Sequence, residues 1–271
     1  MKKQNGQIVL MTLLVLTVAI TLVLAFIGRT TVNTAISSQL EDSARAFNAA
    51  EAGIESSLKS GIGSSLVLSS GAKVDTVVTT IGGAANVYTF PKQTSTTTTE
   101  TLWLVDHNAD GSLNEASSFN TNLVTLCWTQ EATVPALSVA VIYKRSGTYY
   151  VARGGYDQSA ASRANNFSSP TLAGSGCGTS NVYAKSINFS TDFGINVATD
   201  TLLMLRVRPY YSGTTISFDP GAGSLPLQAK RIESSGSVSS GTTRKIEVYQ
   251  QYKSPSSLFD AVLYSQSDII Q

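Results

Sequence analysis

Residues 8–28 read IVLMTLLVLTVAITLVLAFIG, a run without a charge that follows Lys2 and Lys3 and is closed by Arg29. A helix needs roughly 20 apolar residues to cross the hydrocarbon core of a bilayer. Lysines on the short side keep the N-terminus in the cytoplasm and place the bulk of the chain outside. A cleavable signal peptide is the competing reading. The run is too long for a usual signal core, however, and no small-x-small site followed by a polar break appears. A buried soluble helix would leave the charge asymmetry without a role. Residues 7–28 are therefore expected to span a membrane.

The helical pattern continues past Arg29. No proline occurs before Pro91, and apolar residues recur at Val32, Ile36, Leu40, Ala44, Phe47, Ala50 or Ala52, Ile54 and Leu58. Steps of three and four mark one helix face, which is expected to pack on a sheet. Glu41–Arg45 and Glu55–Lys59 stand at i,i+4 in the favourable order. Gly61 and Gly63 supply the stop. At 1.5 Å per residue, Ile8–Ser60 would form a helix of about 80 Å. Gly28 is its expected soft point, since glycine costs about 1 kcal/mol against alanine there.

Beyond residue 61 the text changes character. Charged residues make up only 14% of the chain and the net charge is +1, which gives no electrostatic case for a nucleic-acid partner. Leu137–Tyr143, the Ser146-Gly147 pair and Thr148–Ala152 read as a hairpin. Further strand-like runs are 86–90, 123–129, 182–189, 202–211, 225–232 and 245–252. Gln93–Glu100 and Ser234–Thr243 read as polar, mobile breaks. The expected class is α+β: the long N-terminal helix on an antiparallel sheet, with a leader at 1–6, helix segments at 7–28 and 29–60, a β-rich domain at 61–181 and a C-terminal β portion at 182–271.

Few residues carry site chemistry. Asp106, Asn108 and Asp110 place side-chain oxygens at positions one, three and five of a loop with Gly111 at six. That opening suits calcium, with the Ser112 carbonyl and Glu115 as further donors, yet position twelve is Ser117 and the bidentate glutamate is missing. A chain of Asx-turns is the alternative. No cofactor is required, and calcium is the one ion suggested. Cys127 and Cys177 are the only cysteines; in an exported domain an even count favours a bridge, the alternative being two separate thiols. His107 is the sole histidine, no nucleophile–base pair is evident, and Trp103, Trp128, Tyr210 and Tyr211 read as packing. The chain is expected not to be an enzyme.

Gly6 before the apolar run, Arg29 after it, and the string from Ala46 to Glu55, AFNAAEAGIE, together resemble the N-terminal region of PilX-type minor pilins of type IV pili. Thr243–Val248 and Phe259–Ser265 are similar to the closing strand and tail of such proteins. The resemblance covers residues 1–60 and 240–265 and is absent between them. It implies cleavage by prepilin peptidase between Gly6 and Gln7, extraction from the inner membrane, and assembly with other pilin subunits through the helix. The family usually has a glutamate at the fifth mature position, where this chain has Met11. Without that carboxylate to neutralise a neighbouring subunit's amine in an apolar filament core, a minor, tip or initiating subunit is implied rather than the main one. A permanently anchored surface binding protein, dependent on calcium or sugar, is the alternative.

Overall fold

A computed structural model of the chain describes residues 5–83, 86–108, 110–172, 177 and 183–257. The leader lysines, the Gly174–Gly178 run apart from Cys177, and the Phe259–Ser265 tail lie outside the described residues. The chain opens with α1 (Asn5–Ser60), then β1 (Ser64–Val67), β2 (Lys73–Gly82), β3 (Tyr88–Thr89), β4 (Glu100–Trp103) and β5 (Val105–His107). Next come β6 (Leu113–Ser118), β7 (Leu123–Trp128), β8 (Ala136–Arg145), β9 (Thr148–Asp157), α2 (Ala160–Arg163) and β10 (Thr171–Leu172). The order closes with β11 (Tyr183–Asn188), α3 (Phe189–Phe193), β12 (Thr201–Tyr210), β13 (Ile216–Asp219), β14 (Leu227–Ser237) and β15 (Thr243–Gln251). The class is α+β.

Two compact units result, and the first is discontinuous in sequence: residues 1–78 with 231–248. It holds α1 and the sheet ordered β1-β2-β14-β15. Gly61, at φ 74°, ends the helix by donating to the Ser57 carbonyl at 2.8 Å, a left-handed stop that glycine adopts without penalty. The buried face of α1 differs from the expected stripe. Val32, Ile36, Leu40, Phe47 and Leu58 are exposed, and the buried residues are Ala46, Ala49, Ala50, Gly53, Ile54 and Ser57. They recur in steps of three and four, but most are small.

The reason is backbone proximity. A Cβ on Gly53 would meet Ser234 Oγ, Thr76 Oγ1 at 2.5 Å and Val74 Cγ1 at 2.6 Å. A Cβ on Gly236 would overlap the Ala46 carbonyl oxygen and lie 2.7 Å from the Ala50 nitrogen. Helix and strand β14 touch where both lack bulk, so large side chains are excluded from the seam. The same fact corrects the reading of Ser234–Thr243 as a mobile break. Ser234 and Gly236 belong to β14 and are buried, and only the turn from Val238 to Thr242 is a loop. Small polar residues there serve the seam, with Thr76 and Ser234 hydroxyls 3.3 Å apart in it.

The second unit comprises residues 79–230 and 249–271. Its sheets are ordered β10-β11-β7-β13-β3 and β4-β12-β8-β9. A single apolar cluster draws Leu126, Trp128, Ile187 and Phe218 from the first sheet and Leu102, Leu137, Val141 and Leu205 from the second. This is a β-sandwich with alternate residues inward, each large buried side chain contributing about 1.5–3 kcal/mol. The β8–β9 hairpin turns on Ser146 and Gly147, both at positive φ, as a two-residue turn requires. No break falls at residue 182, because β11 pairs with β7 and β12 with β8. Strands from both sides of that point share sheets.

Candidate assembly helix and surface sites

From Ile8 to Glu41 every residue of α1 is exposed. One stretch of this helix is long and apolar enough to cross a membrane. Its polar groups are satisfied from within: Thr12, Thr17 and Thr21 donate to the carbonyls of Val9, Leu14 and Val18 at 2.8–2.9 Å. Thr30, Thr31 and Thr34 bond back to Phe26, Ile27 and Thr30 in the same way. A hydroxyl bonded to its own helix leaves no unmet donor for an apolar surrounding to penalise. A Cβ on Gly28 would meet nothing within 4 Å outside its own helix turn, and the helix passes through it unbroken. Gly6 and Gln7 lie in the first turns of α1, and Met11 is exposed. Val32, Ile36 and Leu40, at four-residue steps, extend the apolar surface past the membrane-length run.

The candidate calcium residues sit on the β5–β6 hairpin, where Asp106 pairs with Asn114 and His107 with Leu113. Several of their oxygens accept from donors of the protein. Asp110 accepts from the Ser112 backbone N–H at 2.9 Å and the Ser112 hydroxyl at 2.6 Å, which holds its carboxyl below the usual range. The Ser112 carbonyl accepts from the Asn108 N–H at 2.8 Å. Asp106 accepts from the Ser117 hydroxyl, and Glu115 pairs with Lys144 at 2.6 Å. The Asp110–Ser112 bond is that of an Asx-turn. Among the described residues, no group of three or more His, Cys, Asp or Glu is placed to hold a metal ion.

His107 does not stand in solvent. Its ring stacks on Tyr252 with centroids 3.7 Å apart and meets the edge of Trp103 at 4.5 Å. Burial lowers its pKa, against the opposing influence of Asp106. Its Nδ1 is buried with no hydrogen-bond partner among the described residues. Trp128 is fully buried and donates to the Pro135 carbonyl at 3.3 Å. Cys127 and Cys177 form a disulfide with Cα atoms 6.0 Å apart, packed against Ala184.

Three features escape a linear reading. Asp200 is clamped by Arg145 at 2.9 and 2.6 Å and accepts from the Asn196 N–H at 2.9 Å. Asp157, fully buried, is held by Arg163 and Asn165. A hollow of about 520 Å³ lies over Gly154 and Gly155. Its lining comes from five separated segments, and only the consecutive glycines inside a strand could have signalled it. The chain matches no family model, no curated protein and no solved structure.

Proposed function

We propose that the chain is a minor, tip or initiating subunit of a type IV pilus-like filament, with a surface domain for adhesion or assembly. It enters the cytoplasmic membrane through α1 with its N-terminus inside. Prepilin peptidase cuts between Gly6 and Gln7, and the helix then leaves lipid to bundle with other pilin subunits. The observation that carries this reading is the division of labour along α1: residues 8–41 are exposed, whereas 46–57 seat on the sheet through small residues. A helix that served only as an anchor has no need of exposed Val32, Ile36 and Leu40 beyond the span. With its hydroxyls bonded internally, the same surface suits lipid and then an apolar bundle. Met11 at the fifth mature position supports a minor place over the main repeating one.

The test is the mature N-terminus of protein recovered from sheared surface filaments. Gln7 as the first residue is expected, with the chain far less abundant than a separate major subunit. An intact Met1 in protein that stays in the membrane would instead make it a permanently anchored binding protein.

A further inference from the structure

We propose that the sandwich carries a saccharide-binding groove over Gly154 and Gly155, built to take a neutral pyranose unit of a glycan. The proposal rests on the reading of this unit as an exposed adhesive domain and names its ligand class. β9 is the outer strand of its sheet, and at two consecutive glycines it carries no side chain of its own. The hollow beside it, about 520 Å³, falls in the ~300–1,000 Å³ range of small-molecule sites.

Each glycine makes room for an aromatic ring. A Cβ on Gly155 would lie 2.6 Å from Phe167, and one on Gly154 would lie 3.2 Å from Phe193 and 3.3 Å from the Tyr156 hydroxyl. Both phenylalanines are only partly buried and border the hollow. Neighbouring residues of a strand face opposite sides, so the two rings flank the hollow from either side of the β9 edge and give a sugar's C–H groups apolar surface there. The polar lining includes Asn165, Asn166, Arg153, Lys185 and Asp192. Lys185 and Asp192 stand 3.6 Å apart, so a donor and an acceptor lie side by side. A sugar hydroxyl, which donates and accepts at one oxygen, matches that pair, and so does an asparagine amide. A phosphate or carboxylate ligand matches less well, since Lys185 is already paired with Asp192.

The loop that supplies Asn165, Asn166 and Phe167 is held in place before any ligand arrives. Buried Asp157 accepts from the Ser159 N–H at 2.8 Å, from Arg163 at 3.0 and 3.1 Å, and from Asn165 Nδ2 at 2.7 Å. Arg163 also donates to the Val134 carbonyl at 2.9 Å and lies 3.9 Å over the Tyr211 ring. Ser168 then ties back to the strand, donating to the Gly155 carbonyl and accepting from the Asp157 N–H, both at 2.9 Å. These bonds enforce left-handed backbone at two non-glycine residues, Ala164 (φ 48°) and Asn166 (φ 57°). Such conformations persist where the surroundings over-determine them, as around ligand sites. Here they place Asn166 and Phe167 at the lip of the hollow.

The experiment uses the full chain in a detergent without a sugar headgroup. Neutral oligosaccharides containing glucose, galactose, mannose or N-acetylhexosamine are titrated by calorimetry and by saturation-transfer NMR. Wild type is expected to bind at least one of them. Asn166→Gly keeps the left-handed backbone and removes the amide, so it should melt no lower than wild type yet bind about three- to tenfold more weakly, the value of one hydrogen bond. Gly155→Val should abolish binding by displacing Phe167; if it fails to fold, Asn166→Gly still decides. Absence of binding by wild type at roughly 10 mM ligand, or unchanged affinity in Asn166→Gly, overturns the proposal. Binding is read on the purified chain and filament recovery on cells, so the groove and the filament reading fail separately.

Discussion

Glycine to alanine at two positions of the same helix should act in opposite directions. In a helix interior alanine is favoured over glycine by about 0.8–1 kcal/mol. At Gly28 a new methyl group meets nothing within 4 Å, so Gly28→Ala should show the propensity gain alone, as higher helix content with no loss in melting temperature. At Gly53 the methyl meets Thr76 Oγ1 at 2.5 Å, Val74 Cγ1 at 2.6 Å and Ser234 Oγ. All three of those residues are buried and have nowhere to swing. Overpacking of this kind costs about 1–3 kcal/mol, and parting the Thr76–Ser234 pair adds about 0.5–1.5 kcal/mol. The steric cost exceeds the propensity gain, leaving Gly53→Ala destabilised by about 1–3 kcal/mol. At roughly 2–4 °C per kcal/mol for a chain of this size, that is a shift of several degrees. Gly236→Ala should be worse, because the obstacles there are backbone atoms. Thermal unfolding of the full chain in detergent, followed by far-ultraviolet circular dichroism, reads all three. A Gly53→Ala protein that melts at or above wild type would refute the close helix–sheet seam.

Four further outcomes are expected. Burial lowers the His107 pKa, so its contribution to stability is complete above the unfolded value of about 6.5 and declines as pH falls below it; His107→Phe should flatten the slope of melting temperature between about pH 7.5 and 5.5. The hydrogen bonds from Arg145 lower the Asp200 pKa, so the support it gives is present above the ordinary carboxyl value of about 4 and fades as pH drops through the folded one; Asp200→Asn should lose that acid dependence while being less stable at neutral pH. Intact-mass analysis without reductant should show two hydrogens fewer than the free thiols, and reduction of Cys127–Cys177, fifty residues apart, should cost about 4 kcal/mol. Asp110→Ala should speed amide exchange at Ser112, and calcium should leave the wild-type melting temperature unchanged, since Asp110 Oδ1, Asp106 Oδ2 and the Ser112 carbonyl already accept from protein donors; a calcium-induced rise that Asp110→Ala abolishes would restore the ion-binding reading.

The parts of the fold that could be read from sequence are those set by local chemistry. The long helix follows from an uninterrupted apolar run and a late first proline, and the β8–β9 hairpin from alternation around Ser146-Gly147. Strand positions such as Leu123–Trp128 and Thr201–Tyr210 were legible from β-branched and aromatic runs. The buried face of α1 was not, because hydrophobicity and burial part company where backbones meet closely: Val32 and Leu40 are exposed, while Gly53 and Ser57 are covered. Ser234 and Gly236 misled for the same reason. The groove could not be anticipated either, since Gly155, Asn166 and Lys185 come together only through strand order, and the Asp157 network depends on partners as distant as Val134 and Tyr211.

The sheet under α1 is assembled from both ends of the chain, and this fixes an order of events during synthesis. Residues 79–230, which make most of the sandwich, are contiguous, so that unit can begin folding while later codons are still being read. The helix, which precedes the whole sheet in sequence, has only β1 and β2 to rest on until β14 and β15 (residues 227–251) arrive. A product that stops near residue 230 keeps much of a sandwich yet leaves the small-residue face of Ala46, Ala49 and Gly53 covered on the β2 side alone. Seating of the helix thus depends on β14 and β15 having been made, and a chain cut short before them leaves α1 with half of its sheet.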